Sequence, residues 1–188
     1  MAKIAYTDFD REIWDKNLEG FVPDTVYDMH THMWSEAHCG SVEGPPVGLR
    51  LEIDFRDHLD WAQKLYPNRE FHLLVLGTPI PGIDYEGHND WIAAELKADP
   101  ASAINMLVSP EMTPEYIAEQ VDKHKFLGLK PYRAFAPDPV SARIKDFLPE
   151  SFIEVAHDKN LAITMHLAKP PGPADADNQR DLARYTRE

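Results

Sequence analysis

The sequence predicts an α/β protein built on a parallel sheet. Three observations carry that: strand-like and helix-like stretches alternate about five times; Phe71-His72-Leu73-Leu74-Val75-Leu76 is nearly apolar throughout, as in a strand covered on both faces; and long breaker-rich loops follow the strands. With 188 residues, one domain with a sizeable core is expected. That length suits an open five-stranded doubly wound sheet, whereas a closed (β/α)8 barrel typically needs about 250 residues.

The elements follow in order. Thr7-Asp8-Phe9-Asp10 reads as a helix start, with Thr7 as the cap and acidic residues in the first turn. Phe9, Ile13, Trp14 and Leu18 give an apolar stripe, and Gly20 and Pro23 stop the helix, so residues 1–22 form a flank to a domain spanning 23–188. The first strand covers 25–31. Residues 33–52 hold Gly40, Gly44, Pro45, Pro46 and Gly48 and are expected to form a long loop. Asp54 caps a helix carrying Leu59, Trp61, Ala62 and Leu65, and the second strand follows at 71–76.

A helix is expected from about Asn89 to Pro100, and a third strand at Ala103–Val108. Thr113-Pro114-Glu115 starts the next helix, with Pro at its first position and Ile117 and Val121 facing inward. The fourth strand covers Phe126–Tyr132. Helical sequence at about 141–147 and 151–159 leads to a fifth strand at 161–167, and a last helix begins near Asp177.

Charge and cysteine content narrow the function classes. A formal net charge of -13 argues against nucleic acid or an anionic membrane as partner. No apolar run approaches the 18 to 20 or so residues of a membrane span, and no signal-peptide core follows Met1. Cys39 is the only cysteine, which excludes an internal disulfide and a Cys-based zinc site and fits a reducing cytoplasm.

The chemistry concentrates in Thr25-Val26-Tyr27-Asp28-Met29-His30-Thr31-His32. Strand alternation would put Asp28, His30 and His32 on one face. Two imidazoles two residues apart at a strand end can grip one metal ion, and Asp28 could hold a ring N–H and fix the tautomer. Position strengthens a short pattern: active sites of parallel α/β folds gather at the C-terminal edge of the sheet. Of the other histidines, His38 and His88 fall near that edge, His72 begins the second strand at the opposite edge, and His58, His124 and His157 lie in helical sequence as outer-face residues.

Taken together, Asp28-Met-His30-Thr-His32, Gly128-Leu-Lys130-Pro-Tyr132 and Met165-His166 resemble the amidohydrolase superfamily, specifically the amidohydrolase-related (type 2) metal-dependent hydrolases, over about residues 22–188. The resemblance implies a (β/α)8 barrel of the TIM type, here only its first five βα units, with a divalent ion, most often zinc, at the C-terminal mouth. His30 and His32 match the first-strand ligand pair and His166 the fifth-strand histidine. The proton-transferring aspartate that such barrels carry after the eighth strand is not matched here, so the chain reads as an N-terminal fragment with a sticky open edge, and a homo-oligomer is one way to cover it.

That reading expects a metal-activated water attacking an amide, ester or lactone carbonyl of a small-molecule substrate. The alternative within the same family is a metal-dependent decarboxylase, which wants a cation for a carboxylate; Arg50, Lys130 and Arg133 are available. Lys130 is more simply a structural or substrate contact than a carboxylated bridge between two ions. An alternative of another class is a non-catalytic metal-binding or assembly domain.

Overall fold

Five parallel strands, Thr25–His32 (β1), Glu70–Leu76 (β2), Ala103–Val108 (β3), Gly128–Pro131 (β4) and Ala162–Ile163 (β5), pair in the order in which they occur along the chain. The computed structural model describes residues 5–39 and 52–186, so most of the expected 33–52 loop, Arg50 included, lies outside the described residues. The strands form one curled, half-barrel sheet. Among the described residues the order never reverses, so each crossover advances the sheet in the same direction.

The helices are Asp8–Ile13 (α1), Phe55–Leu65 (α2), Tyr85–Glu95 (α3), Pro114–His124 (α4), Ile144–Phe147 (α5), Glu150–Asp158 (α6) and Ala176–Tyr185 (α7). None of the described helices is long and apolar enough to cross a membrane. Their starts follow side-chain chemistry. Thr7 and Asp54 each accept a backbone N–H three residues on, from Asp10 and Asp57, and those carboxylates accept the cap's own N–H in return. Thr113 caps α4 with Pro114 at the first position. α3 begins ahead of the expected Asn89 because Asp84 accepts the N–H of Gly87 and opens the helix there.

The apolar stripe expected on α1 does not form. A wide π turn, Trp14–Leu18, continues the helix and changes the angular step between residues. Trp14 is buried under the Arg69 guanidinium, 5.2 Å from its ring, and against the edge of Tyr66, whereas Phe9 is 69% exposed.

One layer of the core lies between the sheet and its helices. Leu73, Val75, Ile104, Met106, Val108 and Leu129 from β2, β3 and β4 pack with Ile92, Ile117, Val121, Phe147 and Phe152. Burying side chains of this size contributes about 1.5 to 3 kcal/mol each. Asn89 pins α3 to the sheet, its amide donating to the Leu107 carbonyl and accepting the Leu107 N–H, each at 3.0 Å. At Gly128 no side chain fits, since a Cβ there would stand 2.2 Å from the Ala162 carbonyl oxygen and 2.6 Å from Asn105 Oδ1.

The outer strands depart from simple expectation. β5 has two residues where the pattern suggested 161–167. The Thr164 N–H still reaches Leu129 O at 3.0 Å, and the Thr164 hydroxyl accepts from Asn105 Nδ2 at 2.7 Å, after which the chain leaves the ladder. β1 runs in register with β2 from Thr25 to Asp28, then shifts before Thr31 pairs with Val75. That irregularity breaks the alternation that would have set Asp28 on the face of His30 and His32.

Candidate functional site

The C-terminal end of β1 brings His30 and His32 together, their ring centroids 5.3 Å apart. β1 lies beside β2, so His32 Nδ1 reaches the carbonyls of Leu76 (3.1 Å) and Gly77 (3.2 Å). Carbonyls only accept, so Nδ1 carries the proton and Nε2 keeps its lone pair. Burial pulls the His32 pKa down against the pull of those carbonyls, and the proximity of His30 and Lys130 acts with burial. His32 is therefore held as a neutral imidazole of defined tautomer.

The ring-orienting role expected of Asp28 falls to these carbonyls. The Asp28 carboxylate instead accepts the backbone N–H of His30 at 3.0 Å, inside the irregular stretch of β1. His58, expected on the outer face of its helix, points inward: its Nε2 donates to the His32 carbonyl at 3.0 Å, and burial lowers its pKa.

Around the sheet, β4 supplies Lys130 and leads directly into Tyr132. Lys130 is 1% exposed, with Nζ 4.9 Å from the centre of the Tyr132 ring and no hydrogen bond or ion pair among the described residues. Burial lowers its pKa to about 8. Tyr132 is buried, donates its hydroxyl to Gly77 O at 3.2 Å, and has its own pKa pushed up by burial. Its ring centroid is 6.4 Å from that of His32 and 5.0 Å from that of His166. Tyr132 thus joins the first-strand pair to the fifth-strand histidine. Its place next to Lys130 in the fourth-strand segment was the only signal for that role in the sequence.

His166 lies beyond the last bonded residues of β5. Its Nδ1 is buried with no partner among the described residues. Burial lowers its pKa first, and the charges of Lys130, His30 and Arg133 add to that. Arg133 donates from Nη2 to Val140 O, closing the loop after β4, while its Nε is buried without a partner among the described residues.

These side chains fit a divalent ion in kind: His32 offers Nε2 as a lone-pair donor, and the orphaned His166 Nδ1 stands in a buried position that a ligand would satisfy. They are not drawn together around one point. Among the described residues, no three His, Cys, Asp or Glu side chains form a metal-holding group.

A second histidine group stands at the same end of the sheet. His88, 1% exposed, accepts the Thr78 N–H on Nε2 at 3.0 Å, so its proton is on Nδ1, which is buried without a partner among the described residues. Burial, helped by His38, lowers its pKa to about 3. The rings of His38 and His88 are 5.6 Å apart, and Trp91 lies 5.7 Å from each. At the opposite end, His72 Nδ1 bonds the Asp99 carboxylate at 2.8 Å, Asp99 also takes the Ser102 hydroxyl, and Ser102 in turn accepts the Leu73 N–H. His124 is paired with Asp90 at 2.6 Å, and His157 is exposed.

No family model matches the chain, and neither a curated protein nor a solved structure matches it.

Proposed function

We propose that this chain is the first five βα units of a (β/α)8 barrel and carries the metal-binding mouth of a metal-dependent hydrolase of the amidohydrolase type. The uninterrupted strand order supports the barrel part, because a doubly wound sheet needs a reversal. The observation that carries the functional part is the His32 ring, locked by the Leu76 and Gly77 carbonyls with Nε2 left open, beside His30.

His30, His32 and His166 would hold the ion. When bound, a divalent ion such as zinc lowers the pKa of water to about 7 and polarises a substrate carbonyl. The protein's part is to keep the His32 and His166 imidazoles neutral through burial, fix the His32 tautomer, and wall the mouth with Tyr132. The decarboxylase reading shares this mouth and draws on the buried Lys130 cation. The non-catalytic reading draws on the absence of a closed ligand group among the described residues.

Metal analysis separates the two metal-dependent readings from an assembly domain that binds no metal. The chain, stripped with EDTA and titrated with zinc, is expected to bind one ion per chain, with binding lost in His32→Ala and weakened at least tenfold in His30→Ala. Zinc uptake that neither substitution changes would sink the metal site, and the hydrolase and decarboxylase readings with it.

A further inference from the structure

We infer that a cavity between the loops following β2, β3 and β4 takes a small organic cation, an alkylammonium held against aromatic rings. The inference goes beyond the proposed function and does not rest on it, since none of His30, His32, Lys130 and His166 lines this cavity.

The cavity, about 470 Å³, lies among Pro81, Tyr85, Pro110, Glu111, Phe135 and Pro137. That volume suits a small molecule. Local chemistry fixes its walls. Pro81 and Gly82 turn the chain, with Gly82 at a φ of 78°, and the Gly82 N–H donates to the Tyr85 hydroxyl at 3.0 Å, which ties the first ring of α3 to the turn. Phe135 is held between two tyrosines, its ring centroid 5.3 Å from that of Tyr85 and 5.5 Å from that of Tyr132. The planes of Tyr85 and Phe135 meet at 71°, so two aromatic walls make a corner.

Charge selects the ligand. Among the described residues that line the cavity there is no Lys, Arg or His, and Glu111 is the one carboxylate. The field beside it is negative as well: Glu86, Asp90, Asp84 and Glu119 add to burial in raising the pKa of Tyr116 on α4, and Asp84 and Glu86 flank Tyr85 in the chain. An anion finds little here, because the three prolines have no N–H to give.

The same walls decide which cation fits. A hard metal ion takes about six oxygens, and one carboxylate among apolar neighbours falls short of that. The face of an aromatic ring attracts a cation, most effectively one whose weak hydration is easily given up. An ammonium carrying alkyl groups meets the rings and prolines with its apolar surface and Glu111 with its charge.

The test is calorimetric titration of the EDTA-stripped 188-residue chain with choline, with its neutral isostere that has carbon in place of nitrogen, and with benzoate. Choline is expected to bind about tenfold or more tightly than the isostere. Phe135→Leu keeps apolar bulk without the ring and should cost about fivefold or more in choline affinity, and Glu111→Gln about threefold. Equal binding of choline and its isostere overturns the cation assignment and needs no variant, as does tighter binding of benzoate. No saturable uptake of choline up to about 10 mM overturns the site. Choline affinity unchanged in both variants places the cation elsewhere and overturns the assignment to this cavity. Because metal is removed, choline binding by a chain that takes up no zinc leaves this site standing while the hydrolase reading falls.

Discussion

The two ends of the sheet differ in how their histidines are satisfied, although Asn105 Oδ1 beside Gly128 is also buried without a partner among the described residues. At the N-terminal end, His72, Asp99, Ser102 and the Leu73 amide form a closed chain of hydrogen bonds. At the C-terminal end, Lys130, Arg133 Nε, His88 Nδ1 and His166 Nδ1 are buried with hydrogen-bonding capacity unused among the described residues. Satisfied groups hold a fold together; unsatisfied ones raise its free energy and remain only where something else completes them. The difference singles out the C-terminal end as the less completed one without reference to any motif.

The packed N-terminal end should be the easiest place to break the protein. Gly128→Ala, which drives a Cβ into the Ala162 backbone, should cost about 3 kcal/mol in urea unfolding. A loss below about 1 kcal/mol would mean that β4 and β5 are less tightly apposed than described. Asp99→Ala, which strands both His72 and Ser102, should cost about 2 kcal/mol and leave zinc uptake unchanged.

Acid should act on the two ends with opposite sign. The Asp99 hydrogen bond raises the His72 pKa. Its stabilisation is fully present below the unfolded value of about 6.5 and is lost as pH rises through the higher folded value. His88 is the reverse: its pKa falls to about 3, so its contribution is complete above about 6.5 and drains away as pH drops toward 3, at most about 1.4 kcal/mol per pH unit. His88→Gln, whose side-chain carbonyl can still accept the Thr78 N–H, should flatten the acid limb of a stability–pH curve. An unchanged acid limb would remove His88 from the account. The smallest effect is expected at Lys130→Met, where relieving an unpaired buried charge offsets the lost contact with Tyr132, leaving stability within about 1 kcal/mol of the parent or above it.

Much of the scaffold was legible because it rests on local rules. Thr7, Asp54 and Thr113 announced helix starts, and the apolar run 71–76 announced a doubly covered strand. The strand order was not legible from length, because the sequence 1-2-3-4-5 depends on which faces pair across the whole chain. Within the site, His30-x-His32 marked the place, but the partner of the His32 ring came from carbonyls at the end of the next strand, more than forty residues on, which no residue type encodes. Asp28 was the plausible local partner and went to a backbone amide instead. His58 was assigned outward by helical position and turned inward because the His32 carbonyl needed a donor.

The misalignment in β1 between Asp28 and Thr31 has a consequence for anyone grafting the His30-x-His32 segment onto another scaffold. Three steps of β1 span two of β2 there, so deleting one residue would leave Asp28 opposite Leu73 and Thr31 opposite Val75 and remove only the local bend that the extra residue imposes. A transplant that copies only the histidines into a regular strand would carry their spacing but not their aim.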